Sequence, residues 1–176
     1  MISFDRHGIR FKYRVAGLCL HDGYVLLTRA DQDDYWIQPG GRVELAENTR
    51  TALHRELLEE TGHESLVRDL LWIIENVVDL DETAYHELAF IYSLSPTDPT
   101  VLDEAWTHQT TDRSVRIELR WFESDRLEAV NFQPAFLRPL LQTPPETPQH
   151  MIAREPRHKR AAKLRAARRR ADKRRR

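Results

Sequence analysis

Between Gly41 and His63 the chain reads GRVELAENTRTALHRELLEETGH, and this spacing restricts the fold more than any other stretch. Gly41 is followed after five residues by Glu47, and after seven more by Arg55-Glu56-Leu57-Leu58-Glu59-Glu60-Thr61-Gly62. At roughly 5–7% usage per specified residue, chance produces such a string on the order of once in 10⁹ starting positions. Residues 48–61 are predicted as a helix. Asn48 or Thr49 supplies a capping oxygen to the first-turn amides, and Gly62 stands where a left-handed residue commonly stops a helix. Ala52, Leu53 and Leu57 form an apolar stripe that can dock on a sheet. Glu56, Glu59 and Glu60 fall at i, i+3 and i+4 and share one face, where like charges repel. Clustered glutamates ordinarily mean a solvated acidic face. The fixed Gly and Arg positions weigh instead toward a counter-cation, and oxygen-only ligands suit Mg²⁺ or Mn²⁺.

The string resembles the Nudix box, G-x5-E-x7-R-E-U-x-E-E-x-G-U with U a bulky apolar residue. His63 is the single departure, standing where the pattern has an apolar residue. The resemblance implies an α/β Nudix fold, a mixed β-sheet sandwiched between helices in α/β/α layers. It also implies a pyrophosphohydrolase acting on acid anhydrides of phosphorus. The metal ligands it implies are Glu56, Glu59 and Glu60 with the backbone carbonyl of Gly40. Arg55 would orient a catalytic glutamate, Glu47 would support it, and Gly41 and Gly62 would shape the backbone. Glu56 is expected as the base that activates water, although the family uses more than one base position, which keeps Glu59 in the catalytic set. Bound metal lowers the pKa of coordinated water and neutralises a diphosphate.

Upstream, residues 11–20, FKYRVAGLCL, alternate and then turn continuously apolar, as a strand entering a doubly covered sheet does. His21-Asp22-Gly23 is a turn and residues 24–29, YVLLTR, the returning strand. A polar loop, 30–35, leads into Trp36-Ile37-Gln38-Pro39-Gly40-Gly41, which matches the W-x-x-P-G-G approach to the box in the family. Trp36 is open to two readings, stacking on a base or packing in the core. Arg29 is read as reaching a phosphate or pairing with the aspartates of 31–34.

Downstream, residues 66–78, LVRDLLWIIENVV, are predicted as strand, with a LxxLLWII spacing that also permits a helix. Residues 86–94 pair with it, and His86 is read as structural. The polar stretch 95–113 is predicted as a long loop, where substrate discrimination is expected. Glu104, Asp112 and Glu118 are candidates for one further carboxylate, and Trp106, Trp72 and Tyr85 for a stacking wall or core packing. Residues 114–122 alternate as a strand. Ser124 or Asp125 caps a short helical piece, and Pro134 opens a final helix over 135–141. The resemblance spans about residues 10–142.

The predicted organisation is a Nudix domain at 1–142, a Pro-rich linker at 143–153 and a basic, disordered tail at 154–176. The tail carries thirteen Lys or Arg against two acids, +11, so the other 153 residues hold −12. This asymmetry points to RNA or another polyanion as partner of the tail, or to an extension without a role. The single cysteine, Cys19, lies in an apolar run and is expected as a buried thiol. With no apolar run of membrane-crossing length and no secretory leader pattern, a cytoplasmic location without membrane contact is expected.

Three functions compete at this stage. The first is metal-dependent hydrolysis of a nucleoside diphosphate linked to X, with nucleoside triphosphates or nucleotide sugars as default substrates. The second is an RNA 5′-end pyrophosphohydrolase or decapping enzyme that uses the tail. The third is a non-catalytic nucleotide sensor, which a degenerate box would favour, but this box keeps all its charged residues. Sequence signals for ADP-sugar, dinucleoside polyphosphate and coenzyme A substrates are absent or fragmentary here.

Overall fold

In the computed structural model of the chain, which describes residues 1–80, 83–112 and 114–155, β2 (Ile9–His21) is the strand around which the others assemble. Its partners are β1 (Ser3–Arg6), β3 (Tyr24–Ala30), β4 (Gly40–Arg42) and, in parallel, β6 (Thr83–Pro96). β5 (Ser65–Leu80), β7 (Thr107–Asp112), β8 (Val115–Glu123) and β9 (Gln149–Glu155) complete a mixed sheet of order β7-β8-β3-β2-β6-β5-β9.

The change of pattern within β2 has a direct structural counterpart. Where alternation ends, Val15, Ala16, Leu18 and Cys19 are all buried because both faces of the sheet are covered. The odd-numbered Val15 and Cys19 pack with Leu53 and Leu57 of the helix α1 (Thr49–Thr61). Ala16 and Leu18 face the other layer with Trp36, Ile74, Ile91, Phe132, Leu137 and Leu141. Full burial of a leucine such as Leu53 or Leu57 is worth about 1.5–3 kcal/mol, and this fixes which face of α1 meets the sheet.

The second layer departs from a regular helix. The final helix expected over 135–141 is a 3₁₀ segment, Ala135–Leu140, joined to another at Ser124–Ala129. Pro139 lies inside it and offers no backbone N–H, which removes one bond of an α-helical ladder. The layer still buries Leu127, Leu137 and Leu141. The helical spacing in 66–78 is explained by register shifts in β5 between Val67 and Leu70 and between Leu70 and Trp72. A bulge moves successive apolar residues to the same side and so imitates a helical period.

The expected linker is corrected at its C-terminal half. Residues 149–155 are not a spacer but β9, paired in parallel with residues 72–78 of β5, and Met151 packs on the core. The long loop of 95–113 likewise contains structure, a 3₁₀ turn at Pro99–Leu102 and the edge strand β7. The basic tail from residue 156 onward lies outside the described residues. No helix among them is long and apolar enough to cross a membrane.

Candidate active site

Local chemistry sets α1. The side chain of Asn48 accepts the Thr51 amide at 3.0 Å, so the cap is Asn48 and not Thr49. Gly62 closes the helix at φ 72°, its amide donating to the Leu58 carbonyl. The acidic row does not lie wholly in solvent: Glu56 and Glu60 are each 7% exposed, on the shoulder of the apolar stripe, whereas Glu59 is open.

Arg55 stands at the centre of this array. Its Nε and Nη2 donate to the two carboxylate oxygens of Glu47, each at 2.9 Å, a bidentate pair. Nη1 donates to Glu56 at 2.9 Å and reaches Glu59 at 3.4 Å, and Nη2 also meets the Arg42 carbonyl. Glu47 takes one more bond from the Glu44 amide. The Arg55 guanidinium holds the Glu47 carboxyl below its ordinary range against the opposing effect of burial, and Glu47 in turn raises the pKa of Arg55. A glutamate held charged in this way keeps Arg55 fixed, and Arg55 fixes one oxygen of Glu56.

The turn before the helix supplies the opposing wall. β4 pairs with β2, which sets Gly40 against Ala16 and Gly41 against Val15. Gly40 has φ 134°, and a Cβ there would lie 2.4 Å from the Val15 carbonyl oxygen, so only glycine fits. Its amide donates to Glu60 at 3.3 Å. A Cβ on Gly41 would lie 2.2 Å from the Glu56 carboxyl carbon. Two buried carboxylates thus abut two consecutive glycines. Of the expected set, Gly40, Gly41, Glu47, Arg55, Glu56 and Glu60 are brought together, and Glu59 reaches the group only through Arg55. Among the described residues no three His, Cys, Asp or Glu side chains converge as a closed metal cluster.

The remaining candidates lie apart from this turn. Arg29 donates to Glu118 at 2.8 Å, so its partner is Glu118 and not the aspartates of 31–34. Glu118 precedes Leu119, which packs on the α1 side, so its side chain belongs to the opposite face. Trp36 is 5% exposed, packs on Phe122 and has the guanidiniums of Arg29 and Arg120 over its ring, so it is a core residue and not an open stacking platform. Glu104 is bonded to Tyr24, whose phenol it pushes upward in pKa, far along the β2–β3 hairpin from Gly40. The Asp112 side chain is outside the described residues. Trp72 is core, Trp106 stacks on His108, and His86 packs edge-on against Phe11. His63, the departure in the box, pairs with Asp98 at 2.8 Å and meets the edge of Trp106. Burial pushes the Cys19 thiol up to about 12.

Sequence reasoning missed a cavity of about 650 Å³ on the face opposite α1. Lys12, Arg14, Gln38, Asn76, Tyr85 and Glu87 line it. The signal was present in the even-numbered cations of β2, which interrupt a face that is otherwise apolar. Arg14 donates to the Gln38 carbonyl at 3.1 Å, and Gln38 is two residues before Gly40, so the chain that lines the cavity leads directly into the glycine turn, although Gly40, Gly41, Glu56 and Glu60 are not themselves part of the lining. The Lys12 amine lies 4.2 Å from the centre of the Tyr85 ring; burial lowers its pKa, and Glu87 partly offsets this.

A mixed sheet, a helix docked on it by its apolar stripe and carrying two buried carboxylates, and a glycine turn set against those carboxylates define an α/β protein with a helix-borne acidic site. A model of the NUDIX domain matches residues 11–142, and the chain belongs to that family. Diphosphoinositol polyphosphate phosphohydrolase 2 of Rattus norvegicus is 40% identical over 78 residues, covering 42% of this chain and 42% of that protein. The chain therefore spans less than half the length of such curated relatives. Diphosphoinositol polyphosphate phosphohydrolase 3-beta of Homo sapiens is 30% identical over 125 residues, covering 69% of this chain and 68% of its own. The crystal structure of a UDP-X diphosphatase superposes with a TM-score of 0.56 at 20% identity, covering 80% of this chain and 66% of that one, a likeness of fold.

Proposed function

We propose that this chain hydrolyses a phosphoanhydride bond in a nucleoside diphosphate linked to a further group X, with Mg²⁺ or Mn²⁺ as cofactor. The observation that carries this reading is the meeting of the buried Glu56 and Glu60 carboxylates with Gly40 and Gly41, with Glu56 held by the Arg55 that Glu47 clamps. The donor types fit a hard divalent ion, all oxygen with no sulfur or nitrogen: Glu56, Glu60 and the Gly40 carbonyl would hold it, and Glu59, which meets the group only through Arg55, would have to turn toward them. Bound there, the ion supplies neutralisation of the diphosphate and an acidified water. The chain's own residues do the rest. Arg55, clamped by Glu47, holds Oε1 of Glu56, and Glu56 accepts the proton of the attacking water. Arg14 and Lys12, in the cavity that Gln38 lines, would face the part of the substrate beyond the diphosphate.

Replacement Glu60→Gln tests this. Turnover, read as phosphate or nucleotide release across nucleoside triphosphates and nucleotide sugars with added metal, is expected to fall by about 10²–10³-fold with the fold retained. Undiminished turnover would overturn the assignment of this helix. The proposal places the enzyme in the cytoplasm, in keeping with an unpaired, buried Cys19.

A second reading rests on the charge asymmetry, +11 in 154–176 against −12 elsewhere. In it the tail brings 5′-triphosphate or capped RNA to the same site. Comparing the full chain with a form ending at residue 155, which keeps β9, separates the two. Equal rates on small nucleotides with a loss on RNA supports the tail's role, and equal rates on both removes it.

A further inference from the structure

Two carboxamides in the cavity are unusual for where they sit. Gln38 and Asn76 are 3% and 5% exposed, both line the cavity, and Nε2 of Gln38 and Oδ1 of Asn76 have no hydrogen-bond partner. A buried polar atom without a partner costs about 1–3 kcal/mol, and few such atoms survive in folded proteins without a reason. Both belong to strands or turns fixed by other contacts. Gln38 is tied through its carbonyl to Arg14, and Asn76 sits in β5 opposite Glu87 of β6. The charged groups lining the same space are Lys12 and Arg14 against Asp34 and Glu87, a formal balance of zero. Such a lining has no cationic surplus for a ring that carries many phosphates. It suits a neutral ring that offers hydrogen bonds, with the phenols of Tyr35 and Tyr85 beside it.

Resting on the hydrolase reading above, we infer that Gln38 and Asn76 are the specificity-determining pair of this chain, one donating to and one accepting from the edge of a nucleobase. The pair offers one donor and one acceptor, the complement of a base edge. A lactam edge (uracil, guanine) and an amidine edge (adenine, cytosine) each present one donor beside one acceptor, in opposite order, so the orientation in which a base enters decides which of them the pair reads. Gln38 also precedes Pro39 and Gly40, so one short segment connects the base reader to the turn where the anhydride would be cleaved. In this reading the base lies on the cavity floor beside Gln38 and Asn76, and the diphosphate extends along the Gln38-Pro39-Gly40 segment. The polyphosphorylated inositols named for the relatives of this chain would find no such complement.

Titration calorimetry on the full chain tests the pair without requiring turnover. The probes are UMP, GMP, AMP and CMP, with ribose 5-phosphate as the same molecule lacking a base and myo-inositol hexakisphosphate as the polyanion. At least one nucleotide is expected to bind tenfold or more tighter than ribose 5-phosphate. Asn76→Leu and Gln38→Leu are each expected to remove that advantage, while Asn76→Leu leaves the melting temperature of the unliganded protein unchanged or higher. A purely structural asparagine would behave in the opposite way, lowering the melting temperature and leaving nucleotide affinity alone. No advantage over ribose 5-phosphate, tight inositol hexakisphosphate binding indifferent to both variants, or wild-type nucleotide affinity in the variants would overturn the inference. Nucleotide binding that persists in a chain inert toward every anhydride would instead remove the hydrolase reading and leave the pair standing.

Discussion

Replacing Gly41 by alanine separates a catalytic position from a structural one. The added Cβ would lie 2.2 Å from the Glu56 carboxyl carbon and 2.2 Å and 2.5 Å from its oxygens. Ordinary contact begins near 3.4 Å, so the carboxylate must retreat by about 1 Å, and a displacement of about that size costs on the order of 10²-fold in rate. That equals about 2.7 kcal/mol of transition-state stabilisation. The fold should bear it, because the obstacle is the far end of a flexible side chain. Gly40→Ala differs in kind: its Cβ would lie 2.4 Å from the Val15 carbonyl oxygen and 2.8 Å from the Ala16 Cα, with φ at 134°, so backbone must move. Steady-state release of phosphate and thermal melting, measured on both variants, give the answer. Gly41→Ala is expected to melt close to wild type and to turn over about 100-fold more slowly, whereas Gly40→Ala is expected to lose stability outright. A Gly41→Ala enzyme within threefold of wild type would refute the claim that the position of Glu56 matters.

Two further outcomes follow from the geometry. Because Arg55 depresses the pKa of Glu47, the pair contributes stability above the unfolded carboxyl value near 4.5 and loses it as pH falls through the lower folded value; Glu47→Gln should flatten that acid limb in pH-dependent melting, and an unchanged limb would show that the clamp is not felt. Ending the chain at residue 148 removes β9 and the packing of Met151, at a cost on the order of 1–2 kcal/mol or roughly 2–8 °C in melting temperature, and an unchanged melting temperature would show that this strand does not hold the sheet edge.

The parts of this molecule that were legible in its sequence are those governed by short-range rules. Spacing placed Glu56, Glu59 and Glu60 on one helix, Asn48 and Gly62 marked its ends, and alternation followed by an apolar run in β2 announced a sheet covered on both faces. What could not be read depends on contacts distant in sequence. Arg29 meets Glu118, 89 residues away, rather than a neighbouring aspartate. Trp36 is buried by Phe122 and two arginines from other strands. The cavity draws on β2, β5, β6 and the loop that contains Asn131, so no window of sequence contains it. Residues 149–155 carry little apolar signal and become a strand only because the edge of β5 is there to pair with. Pro139 made the last helix a 3₁₀ segment, a local cue outweighed by the expectation drawn from the family pattern.

Titration of the protein with Mn²⁺, followed by electron paramagnetic resonance, tests the central claim most directly. Wild-type protein is expected to bind Mn²⁺, and Glu56→Gln combined with Glu60→Gln to abolish that binding while β-sheet and helix signals in circular dichroism stay unchanged. Equal Mn²⁺ occupancy in the doubly substituted and wild-type proteins would place the ion elsewhere and contradict the account.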